Sequence, residues 1–92
     1  MIKVETYEEA LAVANDTPFG LSSGIFTGSL KFASDFRRKS AAGMVMVNLP
    51  TAGVDYHVPF GGRKGSSMGS REQGRFAAEF YTGVKTAYVS AG

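Results

Sequence analysis

The chain has 92 residues, of which 43% are hydrophobic and 20% are charged, and its formal net charge is +2. These values are typical of a globular domain and exclude a disordered tail, and the small positive charge gives no indication of nucleic-acid binding. The longest apolar run, at 41–47, is far shorter than the roughly 20 residues of a membrane-spanning helix. We therefore expect a globular protein that contacts neither nucleic acid nor membrane.

Cysteine is absent, and His57 is the only histidine. These two facts exclude a disulfide, a thiolate nucleophile and a cysteine or multi-histidine metal site within the sequence. A chain without cysteine fits a reducing compartment, and no basic and apolar secretion signal opens the sequence. We expect a cytoplasmic protein without a metal site.

The first elements along the chain are predicted from alternation and helix capping. Ile2–Glu5 alternates apolar and polar residues, which is typical of a short strand. Thr6 and Glu9 form a capping box, which predicts the start of a helix that Asn15–Pro18 brings to an end. Leu21–Thr27 then predicts a second strand.

A second helix and a third strand follow. Ser29 is placed to cap a helix that reaches about Ser40, and Gly43 is placed to close it as the residue after the C-cap. Met44–Val47 is continuously apolar, as in strands that are covered on both faces of a parallel sheet. The order β-α-β-α-β with short links predicts an α/β fold, a three-layer unit whose parallel strands are joined by right-handed crossovers.

A long loop separates this unit from the last two elements. Residues 48–70 show no periodicity, but their aromatic and apolar content argues against disorder. Ser70 and Gln73 form another capping box, which predicts a third helix whose Phe80 is expected in the core. The final run, Val84–Val89, alternates as a strand without a hairpin partner. Because an unpaired strand tends to recruit another chain, we predict an oligomerisation element, with addition to the chain's own sheet as the alternative.

The loop contains two candidate motifs for chemistry. Phe60–Ser67 is rich in glycine and basic residues, as phosphate-binding loops are, but it lacks a G-K-[ST] or G-x-G-x-x-G motif. A tight glycine turn with solvated basic side chains is the preferred interpretation. Asp55 and His57 with Ser66 or Ser67 supply the residue types of a hydrolase triad, but no nucleophile elbow accompanies them. The residues alone leave both alternatives open.

Several motifs, in order and with matching spacing, resemble the C-terminal part of aldehyde dehydrogenases. They are Ala14–Leu21, Gly24–Thr27, Ala42–Gly43, Val47–Asn48, Pro59–Ser67, Arg71–Gly74 and Tyr81–Thr86. The resemblance extends through essentially the whole chain. Within the family, Leu49–Phe60 looks most like the corresponding loop of α-ketoglutaric semialdehyde dehydrogenases.

The resemblance implies an enzyme that oxidises an aldehyde to a carboxylic acid with NAD or NADP. In that family a cysteine attacks the aldehyde, hydride passes to the nicotinamide, and a glutamate activates the water that releases the acid. Because this chain has no cysteine, the resemblance implies a C-terminal portion that is catalytically incomplete alone and binds no cofactor itself. Residues 1–80 then belong to the catalytic domain, with a substrate-anchor loop at 48–70, and residues 81–92 form the oligomerisation strand.

The resemblance also assigns substrate-binding residues, although it matches no catalytic or cofactor-binding position. Phe60 corresponds to the aromatic residue that lines the family's substrate tunnel. Val54, Asp55 and His57 lie in the loop that anchors the far end of the substrate and are therefore candidates for specificity. Gly83 stands where many relatives carry an acidic residue, so an intersubunit ion pair at that position is not available here.

Two functions are consistent with these features. The first is a C-terminal fragment of an NAD(P)-dependent aldehyde dehydrogenase that forms a homo-oligomer through Val84–Val89. The second is a stand-alone, non-catalytic interaction module derived from that family, which binds a partner chain through the same strand. Self-association is expected in both, since a domain of this size buries only about 60% of its unfolded surface.

Overall fold

The computed structural model describes residues 1–92 and contains three α-helices and two β-strands. The helices are α1 (Tyr7–Asn15), α2 (Leu30–Lys39) and α3 (Phe76–Tyr81), the strands are β1 (Ser22–Ile25) and β2 (Met44–Val47), and a short 3₁₀ helix spans Lys64–Ser66. None of these helices has the length and apolar character needed to cross a membrane. The regular elements therefore follow the order α-β-α-β, then a long loop and a last helix.

The start of α1 agrees with the capping prediction. Thr6 Oγ1 accepts a hydrogen bond from the N–H of Glu9 at 3.2 Å, and the Glu9 carboxylate accepts one from the N–H of Glu5 at 3.1 Å. The cap is confirmed, although Glu9 reaches one residue further back than in the usual capping box. The strand predicted at Ile2–Glu5 is wrong, because these residues pair with no other strand and the helix cap takes the N–H of Glu5.

The sheet is built from β1 and β2, which pair in parallel along their whole length. α2 connects the two strands and packs against β2, and α1 packs against α2. Ser29 caps α2 as predicted, since its Oγ accepts from the N–H of Phe32 at 3.3 Å. The α/β class and the parallel pairing are confirmed, whereas the sheet has two strands instead of the three in the predicted β-α-β-α-β order.

The core of the chain is small. Phe36 of α2 is 5% exposed and is the largest buried side chain. Ala42 and Ser40 are also buried. The Ser40 hydroxyl is satisfied by the Ser23 hydroxyl at 2.6 Å. The prediction that Phe80 is a core residue is wrong: it is 54% exposed, because α3 makes no extensive contact with the other helices or with the sheet.

An aromatic stack and a short chain of polar groups join α1 to α2. The Tyr7 ring lies on the Phe32 ring with 4.4 Å between centroids, and the Tyr7 hydroxyl donates to Asp35 at 2.9 Å. The Lys39 ammonium lies 2.9 Å from the other Asp35 oxygen. Hydrogen bonds from Lys39, foremost, and from Tyr7 hold the pKa of Asp35 below its usual value, while desolvation and then the bond to Asp35 raise the pKa of Tyr7. The ionised form of Asp35 is therefore the form that connects the helices.

Asn48 joins the chain segments that leave the two strands. Its backbone is left-handed, with φ 56°, and its N–H donates to the carbonyl of Ile25 at 2.8 Å. Its Oδ1 accepts from the N–H of Thr27 at 2.8 Å, and its Nδ2 donates to the carbonyl of Thr27 at 3.0 Å. One side chain thus pairs with both backbone groups of a residue beyond the end of β1.

Substitution of Asn48 tests this joint. Asn48→Ala is expected to lower the free energy of unfolding by about 2–3 kcal/mol, since it removes two hydrogen bonds and leaves a residue that tolerates the left-handed backbone poorly. Asn48→Gly loses the same bonds without that backbone strain and is expected to cost about 1–2 kcal/mol. Urea unfolding measures both values. Equal losses of unfolding free energy in the two variants would contradict a contribution from the left-handed backbone at this position.

The end of α2 differs from the prediction. The N–H of Ser40 donates to the carbonyl of Phe36 at 2.9 Å, and Ser40 itself is extended, with φ −61° and ψ 132°. Gly43 is therefore not the left-handed residue of a C-cap, and its φ is not positive. Glycine is needed there because the backbone at Gly61 and Gly62 lies directly against it. A Cβ at this position would come within 2.6 Å of the Gly62 Cα.

The start of α3 also differs from the prediction. Gln73 has φ 61° and Gly74 has φ 53°, and this left-handed backbone prevents the helix from extending back to Ser70. The N–H of Phe76 donates instead to the carbonyl of Gln73 at 3.1 Å, and the helix begins at Phe76 without a side-chain cap. The capping box predicted at Ser70 and Gln73 is therefore wrong.

Residues 82–92 extend away from the rest of the chain. Val84, Tyr88 and Val89 are 94–96% exposed. The longest dimension of the molecule is 72 Å and its radius of gyration is 18.2 Å, compared with roughly 12 Å for a compact chain of this length. No strand forms at Val84–Val89 within the single chain, so addition to its own sheet is wrong. The contact of this segment with another subunit stays a prediction.

Candidate functional site

Residues 61–67, which we call the glycine loop, dock on the segment that follows α1. The N–H of Arg63 donates to the carbonyl of Gly20 at 2.9 Å, and the N–H of Gly65 donates to the carbonyl of Pro18 at 2.9 Å. In return, the N–H of Gly20 donates to Ser66 Oγ at 2.8 Å. Two of the motifs that resemble aldehyde dehydrogenases, Ala14–Leu21 and Pro59–Ser67, therefore contact each other directly.

The backbone of the glycine loop is not arranged to bind a phosphate. Besides the two N–H groups that bond to the segment after α1, the N–H of Gly62 donates to Ser67 Oγ at 2.7 Å. The N–H of Ser66 donates to the carbonyl of Arg63 at 3.2 Å. These donors point to separate partners within the chain instead of converging on one anion. The geometry supports the tight glycine turn over the phosphate-binding alternative.

Two basic side chains of this region donate to backbone carbonyls, although Lys64 is exposed and only Arg71 is partly buried. The Lys64 ammonium donates to the carbonyl of Asn15 at 2.6 Å and to that of Thr17 at 3.0 Å. The guanidinium of Arg71 donates to the carbonyl of Gly62 at 2.5 Å. Sequence reasoning missed both contacts, because their partners are backbone carbonyls that no residue pattern identifies.

Phe60 immediately precedes the glycine loop and is held through its backbone. Its N–H donates to the carbonyl of Glu72 at 2.8 Å, and its carbonyl accepts from the N–H of Glu72 at 2.7 Å, which forms an isolated antiparallel bridge. The partly buried side chain lines a cavity of about 360 Å³. The other residues around this cavity include Leu21, Ser66, Ser67, Met68 and Glu72.

Val54 and Asp55 lie at a different concavity. This cavity has a volume of about 250 Å³, and its walls come from the end of β2 and from the loop after it. Val54 is partly buried, whereas Asp55 is exposed. Met46, Leu49 and Val58 supply most of the apolar lining.

His57 lines a third and larger cavity, of about 540 Å³, between the loop and α3. Its ring meets the Tyr56 ring edge to face with 5.5 Å between centroids, and the N–H of Gly74 fixes the carbonyl of Tyr56 at 3.0 Å. The same cavity is lined by Gln73, whose Oε1 is buried without a hydrogen-bond donor, and by Glu72. Glu72 also lines the Phe60 cavity, so the two cavities are neighbours.

The four candidate residues Phe60, Val54, Asp55 and His57 are therefore distributed over three cavities and do not form one pocket within the chain. The hydrolase alternative finds no support, since Ser66 and Ser67 accept from backbone N–H groups and neither bonds to His57. No group of three or more His, Cys, Asp or Glu side chains is placed to hold a metal ion.

The chain matches the aldehyde dehydrogenase family over residues 1–87. It is 48% identical over 89 residues to the α-ketoglutaric semialdehyde dehydrogenase of Bacillus subtilis. It is 47% identical over 91 residues to the α-ketoglutarate semialdehyde dehydrogenase of Haloferax volcanii. These alignments cover 97% and 98% of this chain but only 18% and 19% of the two relatives. The chain belongs to the aldehyde dehydrogenase family.

Solved structures contain the same arrangement of elements. The NAD-dependent aldehyde dehydrogenase from Sinorhizobium meliloti matches with a TM-score of 0.83 and 35% identity, over 99% of this chain and 18% of that one. The indole-3-acetaldehyde dehydrogenase of P. syringae, solved with NAD⁺ and IAA, matches with a TM-score of 0.80 and 40% identity, over 94% and 17%. The fold described above is thus that of part of these enzymes.

Proposed function

We propose that this chain is the C-terminal part of an NAD(P)-dependent aldehyde dehydrogenase that oxidises α-ketoglutaric semialdehyde to the dicarboxylic acid. The observation that carries the proposal is the match to the family over residues 1–87, together with 47–48% identity to two enzymes named for this semialdehyde. The chain spans less than a fifth of their length, so its own residues supply only part of the site.

The chemistry of the proposed reaction divides between this chain and the rest of the enzyme. The aldehyde carbon loses a hydride to the nicotinamide of NAD or NADP and gains an oxygen from water, which releases a carboxylate. The chain has no cysteine to form a covalent intermediate and matches no cofactor-binding position, so we expect it to bind no cofactor and to be inactive alone. Its residues bind the aldehyde and form part of the wall of the substrate cavity.

We assign substrate contact to Phe60, Val54, Asp55 and His57. The bridge between Phe60 and Glu72 fixes the backbone of the aromatic residue, which supports a role as one wall of the substrate cavity. The other three residues belong to the loop at 48–70 and line two concavities, which supports a role in selecting the far end of the aldehyde.

We further propose that residues 1–80 belong to the catalytic domain and that residues 81–92 contact a second subunit of the same kind. The near-complete exposure of Val84, Tyr88 and Val89 supports this division, because extended apolar segments are stable only when another chain covers them. The absence of cysteine supports a cytoplasmic location.

The same exposed segment also supports the second candidate, a non-catalytic module that binds a dehydrogenase subunit. Mixing the tagged chain with the Bacillus subtilis relative separates the two functions. The module is supported if the chain is recovered with that enzyme and alters its oligomeric mass without contributing to turnover. If it is not recovered, the module is excluded.

The main test is a chimera in which this chain replaces the matching segment of the Bacillus subtilis relative. We expect NADH or NADPH formation with α-ketoglutaric semialdehyde in the chimera and none with the 92-residue chain alone. A chimera that folds and assembles but does not turn over would reject the proposed function. Turnover by the isolated chain would reject its catalytic incompleteness.

The Phe60 assignment gives a quantitative prediction in this chimera. Phe60→Ala is expected to lower kcat/KM for the aldehyde about tenfold or more, because an apolar wall of this size contributes about 1.5–3 kcal/mol to binding. Phe60→Tyr keeps the ring and should stay close to the unmodified chimera. The control is Phe26→Ala, since Phe26 is 75% exposed and lines none of the cavities. Equal losses of kcat/KM in Phe26→Ala and Phe60→Ala would contradict the assignment of substrate contact to Phe60.

A further inference from the structure

Lys64 has a backbone conformation that its residue type does not favour. Its φ is 51°, in the left-handed region, and it lies between Arg63 and Gly65. A residue with a Cβ is strained in this conformation, whereas glycine adopts it freely. Backbone strain of this kind persists where the side chain or the site gains from it.

The ammonium of Lys64 caps the C-terminus of α1. Asn15 is the last residue of that helix, and its carbonyl accepts from Nζ at 2.6 Å, while the carbonyl of Thr17 accepts at 3.0 Å. The final carbonyls of a helix have no partners within it and carry the negative end of its dipole. α1 has no basic residue in its own last turn. Lys64 supplies that cation from the glycine loop.

Asn15 extends this connection to the end of α2. Its Nδ2 donates to the carbonyl of Lys39 at 2.9 Å, and its Oδ1 accepts from the N–H of Ala41 at 2.8 Å. The backbone and the side chain of Asn15 therefore bond to different segments at once. Through this residue, Lys64 fixes the glycine loop against the C-terminal ends of both helices.

The loop that Lys64 holds forms part of the wall around Phe60. Ser66 and Ser67 line the Phe60 cavity, and Gly61, which follows Phe60 directly, is buried. Displacement of the loop would move this wall and the aromatic ring together. We propose that Lys64 is a positioning residue that holds the glycine loop, and with it the Phe60 cavity, in the geometry that binds the aldehyde. This inference rests on the proposed function of that cavity.

Three substitutions in the chimera separate the side chain from the backbone. Lys64→Met keeps a Cβ and a similar length but loses the ammonium. Lys64→Gly loses the ammonium and also relieves the strained backbone, and Lys64→Arg keeps a cation. We expect Lys64→Met and Lys64→Gly to raise the KM for the aldehyde about tenfold with kcat within about twofold, as for a loss of binding geometry. Lys64→Arg should recover most of the affinity.

A role confined to stability predicts a different result. In that case Lys64→Gly, which removes the strain, would melt near the unmodified temperature and would also keep the unmodified KM. A raised KM in a Lys64→Gly variant of normal melting temperature supports positioning. An unchanged KM in an otherwise active chimera overturns it.

Amide hydrogen exchange on the 92-residue chain tests the contact without any turnover. The N–H groups of Gly65 and Gly20 report the docking of the loop, because each donates a hydrogen bond between the glycine loop and the segment after α1. We expect both to exchange about tenfold faster in Lys64→Met and in Lys64→Gly than in the unmodified chain or in Lys64→Arg. Unchanged exchange overturns the inference. An inactive chimera with normal loop exchange would instead count against the proposed function.

Discussion

Replacing Gly43 by alanine is expected to lower the free energy of unfolding by about 3 kcal/mol or more. The added Cβ would lie 2.6 Å from the Gly62 Cα and 2.8 Å from the Gly62 carbonyl carbon, closer than such atoms approach in proteins. The Gly61 carbonyl oxygen obstructs the Cβ as well, and because all three atoms are backbone, no side-chain rotation relieves the clash. The glycine loop would have to move away from Gly43, and urea or thermal unfolding would record the loss.

The matched control is Gly28→Ala. Gly28 is also a non-helical glycine with no positive φ, but a Cβ there meets no atom within 4 Å. Alanine restricts the unfolded chain, so this variant is expected to be more stable by up to about 1 kcal/mol. If Gly43→Ala and Gly28→Ala had similar stabilities, the close approach of the glycine loop to Gly43 would be contradicted.

Phe36→Ala is expected to cost about 3–5 kcal/mol, the usual loss for removing a buried aromatic side chain and leaving a cavity. Phe36 is 5% exposed and is the one large side chain among the buried residues, so no second residue can take over its packing between α2 and its neighbours. A loss of this size is a large part of the about 5–15 kcal/mol that stabilises a domain. We expect the variant to be largely unfolded at room temperature by circular dichroism.

Phe26→Ala provides the comparison for Phe36→Ala. Phe26 follows β1 but is 75% exposed, and exposed positions usually change stability by less than about 0.5 kcal/mol. A similar loss of stability at both phenylalanines would contradict the conclusion that burial makes Phe36 important.

Local patterns predicted the elements whose determinants are close in sequence. The caps at Thr6 and Ser29 depend on residues three positions away, and both form as expected. The strand at Ile2–Glu5 and the cap at Ser70 failed for another reason. A strand forms only where a second strand donates and accepts its backbone hydrogen bonds, and Ile2–Glu5 has no such partner. The left-handed turn at Gln73 accompanies the bridge between Phe60 and Glu72, a long-range contact that the local sequence pattern does not reveal.

The candidate site was predictable in part. The resemblance located Phe60 and the loop at 48–70, but the separation of His57 from Phe60 into neighbouring cavities depends on how α3 and Glu72 fold back on the loop. One feature of the sequence indicates the docking of the glycine loop, namely the concentration of glycine between 53 and 74. Glycine marks a close approach of backbones, but its partner, Gly43, cannot be recognised without the structure.

The glycine loop connects parts of the chain that are far apart in sequence. Ser66 and Gly20 are 46 residues apart, and Lys64 and Asn15 are 49 apart, whereas β1 and β2 are separated only by α2. Closing the longer loop costs more conformational entropy before its contacts compensate, so we expect the β1-α2-β2 unit to fold first and the glycine loop to dock late. Contacts made after the transition state act mainly on the rate of unfolding. We therefore expect the wall of the proposed aldehyde cavity to form after the β1-α2-β2 unit and to open before that unit unfolds.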